Sequence, residues 1–279
     1  MSAGEPSLLK NAENRDDPIL VRDLRGEVRA RLNQRRAGRR AKRKYEELRK
    51  EWLRRARGSY LALLLVLSGV WAAVWLYLRS LERDFSDTTW LLAGFILGAL
   101  VSLRWSPPPH VQNWELGAFG EQATAKELRS LETRGWVVLH DLANGSANFD
   151  HVAIGPPGIF CINSKWSGYD LHVTPEGTLV GRHRYDPELT MDVSAHVRRA
   201  KREAVALQRK IVERCGERVW VTPVVAWWGE VEGGGKLQDG VGVVEGKCLV
   251  ERLENQQGRP VRNLEAVLDV LRPGRHAHR

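Results

Sequence analysis

Hydrophobic positions are arranged in two different ways along this chain. Before residue 110 they form two unbroken apolar runs, residues 60–78 and 88–103, whereas after residue 110 they recur between polar positions at helical or strand intervals. Unbroken runs are typical of membrane helices, and periodic ones of elements that bury a single face. The consecutive prolines at 107–109 cannot continue a helix, so they predict a domain boundary at this point.

The two apolar runs predict a transmembrane hairpin over residues 58–105. The first run has 19 residues without a charge, which at about 1.5 Å per helical residue matches the hydrocarbon thickness of a bilayer. The second run is shorter, but Trp90 and Trp105 stand where an interfacial aromatic belt would lie. A buried core helix is the alternative for each run.

The positive charge of the chain is concentrated ahead of the first apolar run. Between Arg22 and Arg57 there are 16 Lys or Arg and five acids, while the whole chain carries +9, so everything else sums to −2. By the positive-inside rule this segment is cytoplasmic, and two crossings return the C-terminal domain to the same side. We therefore predict a multi-pass protein of the cell membrane with both ends in the cytoplasm.

The basic segment also indicates a partner. Residues 1–57 pass from a polar stretch, predicted to be disordered, to a basic helix, and residues 42–57 favour anionic lipid headgroups. A nucleic-acid site is the alternative for these charges. The rest of the chain is not basic enough to be assigned as a nucleic-acid surface on net charge alone. Residues 273–279 are predicted to be a disordered tail.

The three cysteines argue against two kinds of site. Cys161, Cys215 and Cys248 lie far apart without metal-ligand spacing, so neither a structural zinc nor a disulfide framework is expected. The opening residues are polar and predict no secretory signal. We therefore expect reduced cysteines that pack as small apolar side chains.

Residues 106–272 predict an α/β domain in which helices flank a mixed sheet. Helices are expected at 114–134, 192–214 and 261–271, and strands at 136–140, 149–154, 159–162, 219–227 and 240–244. Strands that are apolar on both faces need helices on both sides. The glycine-rich stretch 229–240 lacks the ending of a phosphate-binding P-loop, so it is assigned no chemistry.

A Gly-Pro-Pro-Gly turn joins two of these strands into a hairpin and sets its register. Ile154 then faces Ile159, and in the same register Asp150 faces Asn163. Lys165 shares their face because residues two apart on a strand point the same way. Carboxylate and amide oxygens suit Mg²⁺, and a nearby ammonium offsets transition-state charge. This is the arrangement that a divalent-metal phosphodiesterase needs.

Three segments of this domain resemble the nuclease-related domain, NERD, a branch of the PD-(D/E)xK nuclease superfamily. They are GAFGE at 117–121, NFDHVAIGP at 148–156 and GIFCINSK at 158–165. The likeness covers roughly residues 112–271 and implies the PD-(D/E)xK nuclease-like fold. It also implies that Glu121 is the acid of the first helix, Asp150 the principal metal ligand and Lys165 the active-site lysine. Mg²⁺ or Mn²⁺ is the cofactor that the resemblance implies.

One position departs from the family pattern. The family usually has Asp or Glu two residues before the lysine, and this chain has Asn163. An amide oxygen can ligate Mg²⁺, but the loss of one negative charge is expected to weaken metal binding. The predicted catalytic set is Glu121, Asp150, Asn163 and Lys165, and the predicted metal ligands are Asp150, Asn163 and Glu121.

The sequence therefore predicts a membrane-anchored cytoplasmic domain that binds nucleic acid, either DNA or RNA. The leading hypothesis adds hydrolysis of phosphodiesters with a divalent metal. Two alternatives stay open, a pseudo-nuclease that binds nucleic acid without cleaving it and a scaffold that uses the fold for protein interaction. Trp166, next to Lys165, either stacks on a base or packs within the domain. His151 points away from the face of Asp150 and is interpreted as structural.

Overall fold

The computed structural model describes residues 36–80, 90, 93–98, 101, 107–145 and 147–271. These residues form two compact units. One is Ala41–Leu116, and the other contains the described residues from 117 onward together with residues 36–40. The N-terminal residues predicted to be disordered and the tail at 273–279 lie outside the described residues.

The basic segment and the first predicted span form one continuous helix, α1 (Arg39–Ser80). The helix predicted from Lys42 onward is therefore present. The first half of α1 is rich in charged residues and includes the exposed ion pair between Arg55 and Glu51. The apolar run therefore continues a charged helix and does not form a separate one. Within the described ranges, no helix is long and apolar enough to span a bilayer. On this finding, the predicted multi-pass location at the cell membrane is wrong.

The second predicted span is described only in part. Of residues 88–103, those at 90, 93–98 and 101 are described, and they are helical. The transmembrane hairpin over 58–105 is thus not shown by the described part of the chain. Neither is the membrane or anionic-lipid partner that was predicted for residues 42–57.

The second unit is an α/β domain built on a mixed sheet, which confirms this part of the predicted fold class. Its helices are α2 (Pro109–Glu132), of which residues 117–132 belong to this unit, α3 (Ser194–Cys215), α4 (Leu249–Glu254) and α5 (Leu264–Leu271). Its strands are β1 (Val137–Asn144), β2 (Ala147–Gly155), β3 (Gly158–Trp166), β4 (Tyr169–Val173), β5 (Leu179–His183), β6 (Thr190–Asp192), β7 (Val221–Trp228), β8 (Gly235–Gln238) and β9 (Val241–Glu245). Six of them form the main sheet in the order β1-β2-β3-β7-β9-β8. The neighbours β3, β7 and β9 run parallel, and the other pairs run antiparallel.

Helices cover both faces of the main sheet, as the strands that are apolar on both faces predict. On one face α2 and α4 bury Leu128, Leu131, Ala153, Phe160, Ile162, Leu249 and Leu253. On the other face α3 and α5 bury Val152, Ile154, Ile159, Cys161, Leu207, Ile211 and Val267. Successive residues of β2 and β3 therefore pack alternately in two separate hydrophobic cores. Each fully buried aliphatic side chain stabilises the fold by about 1.5–3 kcal/mol, so the hairpin is anchored from both sides.

The predicted register of the hairpin β2–β3 is confirmed. Ile154 lies opposite Ile159, and the ladder continues in this register as far as His151. It ends there, one pair before Asp150 and Asn163. The two residues with candidate chemistry therefore lie just beyond the regular part of the ladder.

Asp150 lies at an irregularity of the sheet. Its neighbour across β1, Asp141, has a φ of 51°, in the left-handed region, and this pair is missing from the β1–β2 ladder. The alternation of side chains also changes here, because Phe149 packs in the same core as Val152 instead of with Ala153. Such a local break in the ladder changes the direction in which nearby side chains point.

A second sheet of three strands, β4-β5-β6, follows β3 and is absent from the sequence prediction. It is tied to the main sheet by the Trp227 indole, which donates to the Tyr169 carbonyl oxygen at 2.9 Å. Asp170 Oδ1 accepts a further bond from the Glu230 backbone N–H at 2.9 Å. The three strands have only five, five and three residues, so they are too short to show a clear period.

Helix α2 approaches the end of β3 closely at Gly120. A Cβ added there would lie 3.0 Å from the Trp166 backbone nitrogen and 3.5 Å from the Lys165 carbonyl carbon. These neighbours are backbone atoms, which cannot rotate away. Gly120 therefore permits the approach that brings the next helix residue, Glu121, toward Lys165.

Two glycine-to-alanine changes in α2 test this approach. Both gain about 1 kcal/mol of helix propensity. At Gly117 the added Cβ meets no atom of the described residues within 4 Å, so Gly117→Ala should raise the free energy of unfolding. At Gly120 the same gain is opposed by the contact with β3, so Gly120→Ala should be less stable than Gly117→Ala by about 1 kcal/mol or more. Urea denaturation measures both, and equal stabilisation by the two changes would contradict the close approach.

Candidate active site

Asp150 and Lys165 lie at one end of the hairpin β2–β3, on the face that α3 covers. Asp150 is buried, and its Oδ2 accepts a hydrogen bond of 3.0 Å from the Ser164 backbone N–H. Lys165 lies close enough for its charge to act on Asp150. Asn163 and Lys165 lie two and four residues after Cys161 on β3, so they are on the same face of the strand. Cys161 belongs to the core beneath α3. The structure thus brings these three predicted residues together.

Asn163 is held by a residue of helix α3. Its Nδ2 donates to Oε2 of Glu203 at 3.1 Å, and Oε1 of Glu203 accepts a bond of 2.7 Å from Arg199 Nε. Glu203 therefore places a carboxylate beside the position at which the sequence has an amide. The negative charge that Asn163 does not provide comes from another element.

Glu121 reaches the same group of charges from helix α2. It is buried, and its Oε2 accepts a bond of 2.9 Å from the Gly38 backbone N–H. Gly38 has a φ of 69°, and an added Cβ would lie 2.8 Å from the Ala118 carbonyl oxygen. Glycine is therefore needed for this contact, because other residues would meet both backbone strain and a clash.

Burial moves the carboxylates and the lysine toward their neutral forms. The pKa of Asp150 is raised to about 6, first by burial and then by the charge of Glu203. The pKa of Glu121 is raised to about 8, by burial and by the charge of Asp150. Burial, with the charge of Arg199, lowers the pKa of Lys165. At pH 7 Glu121 therefore holds a proton, while Asp150 is mostly ionised.

The opposite face of the hairpin carries a chain of hydrogen bonds between uncharged groups. His140 Nδ1 lies 2.6 Å from His151 Nδ1, and His151 Nε2 lies 3.0 Å from Ser164 Oγ, which donates to Thr124 Oγ1 at 2.8 Å. Burial lowers the pKa of His140 to about 4 and that of His151 well below its usual value. Both rings are neutral at pH 7, so the chain holds Ser164 in place and supplies no charge.

The cluster fits a divalent cation in part. Among the described residues, Asn163 Oδ1 is one of the buried side-chain atoms without a hydrogen-bond partner, and such an atom needs an explanation that a cation would provide. The raised pKa of Asp150 would return toward its usual value beside a cation. No group of three or more His, Cys, Asp or Glu is arranged to hold a metal within the described ranges. A cation at this cluster would depend on the oxygens of Asp150 and Asn163, and its binding by Asp150, Asn163 and Glu121 stays a prediction.

Sequence reasoning missed Glu203 and Arg199. The two are four residues apart on a predicted helix, a spacing that is typical of an ion pair on a helix surface. The available signal is that they directly precede the buried Ala204 and Ala200. They therefore stand at the border of the buried face of α3, where a charged side chain can reach the end of the sheet.

The six-stranded mixed sheet flanked by helices fits a nuclease-like α/β domain. Residues 116–228 match the family model of the nuclease-related domain, NERD, and this part of the chain includes every residue of the cluster from Glu121 to Glu203. The comparisons with curated proteins and with solved structures found no match. The match indicates a function that is related to nucleic acid.

The raised pKa of Glu121 predicts a pH-dependent change in stability. Between about pH 4.5 and pH 8 the folded state keeps a proton that the unfolded state releases, so this carboxyl lowers the free energy of unfolding as the pH rises through that range. Glu121→Gln removes the titration. We expect the variant to be more stable than the wild type at pH 8.5, by on the order of 2 kcal/mol, and about equal to it at pH 5.

Thermal unfolding from pH 5 to pH 9 measures this difference. Glu127→Gln, the same change at a partly exposed position of α2, serves as the control and should leave the pH profile unchanged. A Glu121→Gln profile that runs parallel to that of the wild type would contradict the buried, protonated state of Glu121.

Proposed function

We propose that residues 107–271 bind nucleic acid and hydrolyse its phosphodiester bonds at the cluster of Glu121, Asp150, Asn163, Lys165 and Glu203. The observation that supports this most strongly is the bond between Asn163 and Glu203. Through it the cluster regains, from helix α3, the negative charge that its β3 position lacks. The match of residues 116–228 to the nuclease-related domain agrees with this choice of substrate.

Helix α3 offers a surface for the phosphate backbone. It carries seven Lys or Arg and two Glu. Its exposed cations near the cluster are Arg198, Arg199, Lys201 and Arg202. They immediately precede Glu203, so a strand bound along them passes the cluster. Lys and Arg contacts to phosphates give affinity that is independent of sequence and falls with salt.

Each residue of the cluster has a role that its chemistry allows. The ammonium of Lys165 faces the non-bridging oxygens of a bound phosphate and offsets their charge. Asp150, ionised at pH 7, accepts the proton of the attacking water as the water oxygen bonds to phosphorus. Glu121 holds a proton that can pass to the leaving oxygen. A divalent cation bound by Asp150 and Asn163 would polarise the phosphate and lower the pKa of the attacking water.

A second candidate function is nucleic-acid binding without hydrolysis. It is favoured by the finding that the described residues contain no preformed group of three metal-binding side chains. In this case the Asn163–Glu203 bond and the ion pair of Glu203 with Arg199 only stabilise the fold. Lys165 would then bind phosphate and take no part in catalysis. The two candidates differ in cleavage and in the response to divalent cations.

Salt-dependent binding tests what both candidates share. The double variant Arg198→Gln, Arg202→Gln should reduce affinity for DNA and RNA and lower the slope of log K against log salt by about 2, since each phosphate contact contributes about 0.9 for a duplex. The control, Arg259→Gln with Arg262→Gln, removes two exposed cations. The Arg259 carbonyl oxygen lies beside Gly158, at the other end of β3 from Lys165, so this variant should bind like the wild type. If the wild type shows no salt-dependent binding, the protein-interaction scaffold replaces both candidates.

Exchanging the amide for a carboxylate tests hydrolysis. Asn163→Asp removes the bond that Nδ2 donates to Glu203 and places two carboxylates together, so without metal the melting temperature should fall at pH 7.5. Mg²⁺ or Mn²⁺ should restore it, because the added charge tightens cation binding. Cleavage of labelled single- and double-stranded substrates should rise, and adding Lys165→Ala should abolish it while leaving the melting temperature within a few degrees.

The matched control is the double variant Asn163→Asp, Glu203→Gln. It keeps the net charge of the wild-type cluster and lets the amide introduced on α3 donate to the carboxylate introduced on β3, so its stability without metal should recover. If neither variant gains stability from Mg²⁺ or Mn²⁺ over the wild type, the cluster is not a cation site. Binding without hydrolysis would then be the function.

A further inference from the structure

Beside Lys165 the domain presents an aromatic surface that the cluster does not use. Trp166 is 44% exposed and Phe119 is 49% exposed, and their ring centroids lie 6.3 Å apart with the planes tilted by 50°. Trp166 is the last residue of β3, and Phe119 lies on α2 one residue before Gly120. The aromatic surface therefore lies where α2 packs closely against the end of β3.

One side of Trp166 is held by packing. Its ring stacks on Trp228 with a centroid distance of 6.2 Å and an interplanar angle of 19°. The Trp228 indole N–H donates to Thr124 Oγ1 at 2.8 Å, and its ring lies over Gly246, where an added Cβ would be 2.6 Å away. The exposed part of Trp166 is thus held in a fixed orientation, which reduces the entropy that a ligand must remove on binding.

We propose that Trp166 and Phe119 form a stacking platform for an unpaired base of single-stranded nucleic acid. This inference rests on the proposed function, because it takes the phosphate next to that base to be bound at Lys165. Aromatic side chains stack on bases of any sequence, since every base has a π-face. DNA and RNA share this chemistry, and both belong in the test.

The position of Trp166 supports this occupant. Consecutive residues of a strand point to opposite faces, so Lys165 faces the cluster under α3 while Trp166 faces α2. Because β3 ends at Trp166, a nucleotide that crosses the strand end can place its phosphate at Lys165 and its base on the ring. A paired base in a duplex is covered on both faces by its neighbours, so the platform selects unpaired strands.

The test measures binding to the full chain in EDTA, which prevents cleavage. Fluorescence anisotropy compares four labelled probes. They are a single-stranded DNA, the corresponding single-stranded RNA, the DNA duplex, and a single strand whose central nucleotides lack bases. The wild type should bind the normal single strand about 5- to 150-fold more tightly than the abasic strand. Trp166→Ala should remove most of this difference, and Trp166→Phe should keep most of it.

Trp220→Ala is the matched control. Trp220 is 73% exposed and directly precedes β7, whose last residue is Trp228. At about 3.3 Å per residue, roughly 26 Å separate Trp220 from Trp228 along the strand. Because Trp228 is the partner of Trp166 in the parallel ladder, Trp220 lies at the opposite end of the strands from Trp166. The change should leave affinity for every probe within twofold. An equal loss in Trp220→Ala and Trp166→Ala would overturn the platform.

The outcomes separate this inference from the proposed function. If the wild type binds no probe in a salt-dependent manner, the proposed function fails, and the platform fails with it. If the wild type binds the normal and abasic strands equally, the platform alone is wrong, even if Trp166→Ala proves too unstable to assay. Equal binding together with a loss of self-association in Trp166→Phe would assign the surface to a second copy of the chain.

Discussion

The hydrogen bond from the Ser164 backbone N–H to Asp150 Oδ2 is the constraint on which the rest of the cluster depends. The ladder between the two strands has already ended at this point, and this bond ties the Asp150 carboxylate to β3 in its place. The Ser164 side chain is itself held from behind by His151 and Thr124. With Ser164 fixed, strand geometry directs Asn163 and Lys165 toward α3 and Trp166 toward α2.

The cluster holds more potential negative charge than positive charge. Glu121, Asp150 and Glu203 are carboxyl groups, and Lys165 and Arg199 are the cations whose charges act on them. Three carboxylates in poorly hydrated surroundings are not all stable as anions, so one is neutralised by a proton. Glu121, with a pKa of about 8, holds that proton at pH 7. The proton therefore occupies the place in the charge balance that a cation would otherwise take.

The parts of the structure that follow from local periodicity could be predicted from the sequence. The turn between β2 and β3 set the register, and a period of two placed Asn163 and Lys165 on one face. Glu203 could not be found this way, because it arrives from a helix that pairs with the hairpin only in three dimensions. The sheet β4-β5-β6 is too short to show a period. The predicted membrane location is wrong because, within the described ranges, no helix is long and apolar enough to span a bilayer.

The neutral histidine pair behind Ser164 limits the acid tolerance of the domain. His140 and His151 face each other at 2.6 Å with Nδ1 against Nδ1, so only one of these two nitrogens can carry a proton while the contact lasts. In the unfolded chain both rings take up protons below about pH 6.5, whereas the folded pKa of His140 is about 4. Acid therefore favours the unfolded chain by protonating the histidines on the α2 face of β3. Over the same range it favours the folded chain by protonating Glu121 and Asp150, whose pKa values are raised. The groups on the two sides of one strand respond to acid in opposite directions. The free energy of unfolding is therefore greatest at an intermediate pH and not at either extreme.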